Sequence, residues 1–257
     1  MKQDVAKYGQ QAADDATFRV GPLVNLAPVL QSLGCEPGPV FRQAGFKLKE
    51  FQDPDRRQPY LKASRLLAHC VEATGCECFG LMLGKQADPS MLGVAGFLVR
   101  VAPDVEHALR GLVENMDLHD DCGFVQLNIG AEYTSLGYNL QVSGVSAVEQ
   151  VNDLALAVLY KVLRTLCGEQ WVATRVMLER REPEDLTPYR RYFQTALHFN
   201  STENSIAFPS HYLKQKPPAA DAFLHKHLQK EADALHGLAS HEIMDDLPAV
   251  LNKGLLS

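Results

Sequence analysis

The chain has 257 residues, 46% of them hydrophobic, and carries 31 acidic side chains against 25 lysines and arginines, a formal net charge of -6. That length can bury a core in one domain or two, while the acidic balance leaves no global basic footprint for nucleic acid, so the chain alone should bind DNA poorly. The polar first residues lack the apolar region and cleavage site of a secretory signal, and no apolar run approaches the roughly 20 residues needed to span a bilayer, so a soluble cytoplasmic protein with no membrane partner is expected.

Residues 1–20 read as a flexible arm. From Pro22, Leu23, Leu26, Leu30 and Leu33 recur at helical spacing and stop at Gly34, and a short helix over 40–44 stops at Gly45. The polar connector DPDRRQP leads into a helix over 61–74, with Leu66, Leu67, Cys70 and Val71 inward and Gly75 as its stop. A second helical pair breaks at Pro103, after which Asp104 is placed to cap a helix carrying Val105, Leu109, Leu112, Val113 and Met116.

After His119, Asp120, Asp121 and Cys122 the period changes to two. Val125, Leu127 and Ile129, then Leu136, Tyr138, Leu140 and Val142, predict a hairpin with one buried face. Ser146 and Glu149 read as a capping box for a helix over 147–167, whose apolar stripe runs from Val148 through Leu166 to the stop at Gly168. A strand over 172–179, a short helix opened by Thr187 and Pro188, and two brief strands over 196–199 and 205–208 follow. Pro217 and Pro218 precede a polar helix over 221–238 with Leu224, Leu228 and Leu235 on one side. The order predicts an α+β fold: an antiparallel or mixed sheet with the long capped helix packed on it and an amino-terminal group of helices around it.

Signatures of catalysis and cofactor binding are absent from the sequence. There is no G-x-S-x-G, G-x-G-x-x-G or H-E-x-x-H, and GLMLGK at Gly80 to Lys85 has the wrong glycine spacing for a phosphate loop. The expectation is therefore no enzyme, no catalytic residue, no cofactor and no metal. His69, Cys70, Cys76 and Cys78 are soft ligands, but one residue separates the last two instead of the usual two to four. All six cysteines read as reduced thiols, several of them buried.

His119, Asp120 and Asp121 could do acid–base work, although a polar turn with Asp capping backbone amides is the plainer reading. Arg180, Arg181, Arg190 and Arg191 could bind an anion, or pair with Glu179, Glu182, Glu184 and Asp185. A sensory pocket needs an apolar cavity with a few convergent polar groups. Polar side chains set among apolar ones supply the candidates for ligand binding: Tyr138, Gln150, Asn152 and Trp171. Each has a plainer alternative, as a core tyrosine, as solvent-facing amides or as a packing tryptophan.

PEDLTPYRRYFQTALHFNSTENSIAFP, from Pro183 to Pro209, resembles the amino-terminal effector domain of AraC/XylS-type transcription regulators, in the branch with an arabinose-binding-like domain. LGCEPGPVFRQAGF, FQDPDRRQPYLKASRLL, CFGLMLG and LGVAGFLVRVAPDVEHAL, starting at Leu33, Phe51, Cys78 and Leu92, fall in the order of that branch. The resemblance implies a domain over 21–216 that binds a small-molecule effector, and a linker over 217–240 that could serve a homodimer. It also implies that HEIMDDLPAVLNKGLLS at 241–257 is the start of a truncated DNA-binding domain. Promoter DNA and RNA polymerase would be partners only through the missing carboxyl-terminal helix-turn-helix domain. The alternatives are a small-molecule hydrolase-like enzyme and a ligand-free structural dimerisation module.

Overall fold

In the computed structural model, residues 16–254 are described, with side chains as far as residue 238. The amino-terminal helices α1 (Leu26–Ser32), α2 (Pro37–Gln43) and α3 (Tyr60–Thr74) form near where their periodicity places them, and α4 (Phe79–Lys85) is a further helix that the sequence reading did not assign. Gly75 ends α3 in the left-handed region at φ 64°, a conformation that costs a side chain with a Cβ. Then come α5 (Val94–Val101) and α6 (Val105–Glu114), the latter capped by Asp104, whose carboxylate accepts the His107 N–H at 2.8 Å.

The arm ends earlier than its sequence implies. Its first fifteen residues lie outside the described range, but β1 (Thr17–Arg19) pairs antiparallel with β2 (Arg57–Pro59), inside the connector read as polar loop. Phe18 and Val20 are buried, and Phe18 bridges to Asp120. Apolar residues in alternation on a short segment can add a strand even where flanking charges suggest solvent.

The hairpin forms as expected from β3 (Gly123–Ile129) and β4 (Tyr133–Leu140), with Val125 opposite Tyr138 and Leu127 opposite Leu136. With β5 (Arg175–Met177), β6 (Ala196–His198) and β7 (Ser205–Pro209) it makes one mixed sheet, ordered β3-β4-β7-β5-β6, in which only β5 and β6 run parallel. β5 is shorter than the strand read over 172–179. Side chains replace the ladder at both ends, where Thr195 donates to the Ala173 carbonyl at 2.7 Å and Asn204 Oδ1 accepts the Glu179 N–H at 3.0 Å. Between β5 and β6 lies α8 (Thr187–Phe193), whose first N–H is taken by Asp185 at 2.8 Å.

The long helix is α7 (Val148–Cys167). Its capping box does not form: Ala147, at φ 50°, occupies the cap position, and the Ser146 N–H donates to Ser64 Oγ at 3.0 Å, so tertiary pairing overrides the local motif. α7 lies against α4 along a seam of close approach. A Cβ on Gly80 would stand 2.0 Å from the Gln150 carbonyl oxygen, and one on Gly84 2.6 Å from the Ala157 Cβ. The glycines of GLMLGK are therefore packing residues.

The last helix, α9 (Ala222–Gly254), runs unbroken through residue 240, where the sequence reading sets a boundary. Ala232 is fully buried and His236 Nε2 meets Asp117 Oδ1 at 3.1 Å, while Phe223, Leu224, Leu235 and Leu238 remain exposed. Among the described residues, no single helix is long and apolar enough to cross a membrane.

Candidate functional site

The α7 residues Val151, Leu154, Ala155, Val158 and Leu159 share one helical face and form one wall of a cavity of about 80 Å³. Tyr60, Ala63, Ser64 and Leu67 of α3 form a second wall, Val125 and Tyr138 of the hairpin a third, and Phe18, Pro22 and Leu23 close it from the amino-terminal segment. The lining is apolar except where Tyr60, Ser64, His119, Asp120 and Tyr138 reach it.

Three of those polar groups, Tyr60, Asp120 and Tyr138, gather in one corner. Tyr138 Oη donates to Asp120 Oδ2 at 2.7 Å and lies 3.1 Å from Tyr60 Oη, while Asp120 Oδ1 accepts the N–H groups of Cys122 at 2.8 Å and Gly123 at 3.2 Å. Burial pushes the Asp120 carboxyl up to about 6 against the pull of these donors, and burial followed by the neighbouring Asp120 charge raises both tyrosines. His119 is also buried, its Nδ1 without a hydrogen-bond partner among the described residues. Burial, reinforced by the Arg19 and Arg57 charges, lowers the imidazole to about 3, so it is neutral at physiological pH.

The run from His119 to Asp121 thus serves two purposes. Asp120 caps backbone amides as a polar turn should, yet it also faces the cavity. Asp121 clamps the small sheet instead, pairing with Arg57 at 2.5 Å and accepting from the Thr17 N–H at 3.0 Å and hydroxyl at 2.8 Å. No hydrogen bond joins the His119 ring to Cys122 or Ser143 among the described residues, and burial pushes the Cys122 thiol up to about 12.

Of the four residues read as ligand candidates, only Tyr138 lines the cavity. Gln150 is buried rather than solvent-facing, and it pins the turn before α4 by accepting the Gly80 N–H at 2.8 Å and donating to the Glu77 carbonyl at 2.9 Å. Asn152 is buried with its Oδ1 unpartnered among the described residues, and it is not part of the cavity lining. Trp171 packs between Tyr160 and Phe208, its Nε1 also unpartnered among the described residues. Missing from that set were Tyr60, His119 and Asp120, which the bridge between Phe18 and Asp120 brings to one place.

Arg180 fares differently from either expectation. Arg180 is buried and pairs across the fold with Asp153 at 2.5 Å, with the Tyr189 hydroxyl also on Asp153. Burial lifts Asp153 to about 6 despite that partner. Arg180 holds α7 to the segment after β5, and its main partner is not among the acids next to it in sequence.

Over residues 34–217, most of the chain, the sequence matches the family described as the arabinose-binding domain of AraC transcription regulators, amino-terminal. The match makes this chain a regulatory domain of a transcription regulator. It belongs to the arabinose-binding amino-terminal domain family of the AraC regulators. It is 23% identical over 241 residues to the ornithine utilization regulator of Pseudomonas aeruginosa, across 90% of this chain and 68% of that protein. Its fold is similar to that of the transcriptional regulator CdpR from Pseudomonas aeruginosa, with a TM-score of 0.57 at 18% identity over 75% of this chain. The aligned region spans 59% of CdpR.

Proposed function

We propose that this chain is the ligand-sensing and dimerisation domain of a cytoplasmic AraC-type regulator, and that its effector binds in the cavity between α3, α7 and the hairpin. The observation that carries this reading is the pairing of an apolar interior with one buried polar corner, the arrangement expected of a small-molecule site. Asp120 is already satisfied by three donors and Ser64 by Leu61 and Ser146, so the corner offers few unused contacts. Sugars and zwitterionic amino acids would lose more hydration there than they recover. A small uncharged molecule with an apolar body and one hydroxyl fits, because a hydroxyl both donates and accepts and so suits either tautomer of His119.

Control of a promoter would then follow by population shift, the effector favouring one arrangement of the full-length regulator. The exposed apolar residues of α9 support a homodimer, with DNA and RNA polymerase met through a carboxyl-terminal helix-turn-helix domain. A ligand-free dimerisation module is favoured by one observation: 80 Å³ is well below the roughly 300 Å³ at which ligand pockets usually begin. A thermal-shift screen separates the two. Phenols and short alkanols should raise the melting temperature, since a ligand at 100 times its Kd adds about 2.7 kcal/mol. Arabinose and ornithine should not. A flat response to every compound would overturn the sensing reading.

A further inference from the structure

Three sulfur atoms meet at the turn between α3 and α4. Cys76 Sγ lies 3.6 Å from Cys78 Sγ and 3.6 Å from Met82 Sδ. Cys78 and Met82 stand four residues apart at the start of α4, so they share a helix face. The turn that carries them is fixed from several sides. Thr74 Oγ1 accepts the Cys76 N–H at 3.2 Å, and the Glu77 carbonyl accepts from Gln150 at 2.9 Å and from Arg180 at 3.1 Å. All three sulfur side chains are partly exposed, whereas Cys70, Cys122 and Cys167 are buried.

We propose that Cys76, Cys78 and Met82 form a binding site for a soft monovalent cation, copper(I). Thiolate and thioether sulfur together select copper(I) over harder ions. Sulfurs sharing one ion at about 2.3 Å stand roughly 3.7 to 4.0 Å apart, so the observed spacings need to open by only a few tenths of an ångström. Zinc fits poorly, because it takes four nitrogen, sulfur or carboxylate ligands, and among the described residues no three His, Cys, Asp or Glu side chains converge on a point. His69, the nearest imidazole in sequence, is turned to Glu72 at 3.5 Å. Binding involves no change of oxidation state: the ion displaces the thiol protons of Cys76 and Cys78 to solvent and takes their place.

The test is titration of the purified chain with copper(I), without oxygen, against the chromophoric chelator bathocuproine disulfonate. One ion per chain is expected. Cys76→Ser or Cys78→Ser should weaken binding by more than the about 10- to 100-fold that loss of an outer partner costs, and Met82→Leu by a smaller factor. Cys35→Ser should leave it unchanged. These partly exposed replacements keep side-chain size, and circular dichroism melts establish that each variant is folded. Copper(I) binding as tight in the Cys76→Ser/Cys78→Ser double variant as in the parent would overturn the site. So would zinc binding tighter than copper(I), or a stoichiometry that falls when Cys35 is replaced.

Discussion

Tyr138 and Asp120, eighteen residues apart, are joined by a buried hydrogen bond of 2.7 Å that closes the cavity corner between the second hairpin strand and the turn before the first. Tyr138→Phe removes a donor from a buried carboxylate and should cost about 1–3 kcal/mol at pH 7, where Asp120 is ionised. At pH 4 Asp120 holds a proton and the cost should shrink. Urea denaturation at the two pH values measures both, and an equal cost at each would show that the hydroxyl serves packing alone.

His119 gives the fold an acid-sensitive contribution. Its folded value of about 3 is depressed from the usual 6.5, so the unfolded chain binds the extra proton. Relative to His119→Leu, the parent should lose stability as pH falls from about 6.5 towards 3, by at most about 1.4 kcal/mol per pH unit. Asp120 acts in the opposite sense: its raised value lends stability below about 4 that is lost as pH rises through 6, but it is present in both proteins and cancels from the difference. Melting curves of the pair across this range carry the test.

The seam between α4 and α7 should not tolerate a methyl group. Gly80→Ala and Gly84→Ala each force backbone or Cβ contacts below 3 Å to open, and a loss of about 3 kcal/mol is expected from each. Gly111, in α6 with nothing within 4 Å of its Cβ position, is the control. Gly111→Ala should stabilise by about 0.5–1 kcal/mol. Chemical denaturation distinguishes the three.

Arg180→Met leaves Asp153 buried without its cation and should cost about 3–5 kcal/mol. Adding Asp153→Leu should recover most of that loss, because the cost lies in the unpaired charge. A double variant as unstable as the single one would place the contribution in the other arginine contacts, to Glu77 and Tyr189.

Ligand response should depend on the cavity wall. Ala155→Leu should abolish the thermal shift from any binding phenol or alkanol while the unliganded melt stays near that of the parent. Trp171→Phe, in the aromatic cluster with Tyr160 and Phe208, should preserve the shift. The reverse pattern would move the site away from this cavity.

Elements with a sustained period were legible in the sequence. Alternation over the two hairpin strands and the stripe of α7 survive folding because burial on one face dictates them, except at their ends, where Ile129 and Val148 are exposed. The start of α7 was not legible, since Ser146 spends its N–H on a serine 82 residues away instead of on its own helix. The cavity corner was hidden for the same kind of reason. Tyr60 and Tyr138 are 78 residues apart, and only the β1 strand, read as part of an arm, shows how the turn at Asp120 is drawn inward. Gln150, a polar residue on an amphipathic helix, was open to both a solvent and a ligand reading, but the glycine seam lets a third element close over it.

The stretch from Pro183 to Pro209, one of the segments that carry the family resemblance, supplies β6, β7 and α8 but no side chain to the cavity. On the proposed reading of the cavity, pedigree and taste are written in different parts of one chain. A descendant could exchange its effector through substitutions in α3, α7 and the hairpin and still carry the same family mark, so kinship read from that stretch foretells the frame of a relative and not its chemical signal.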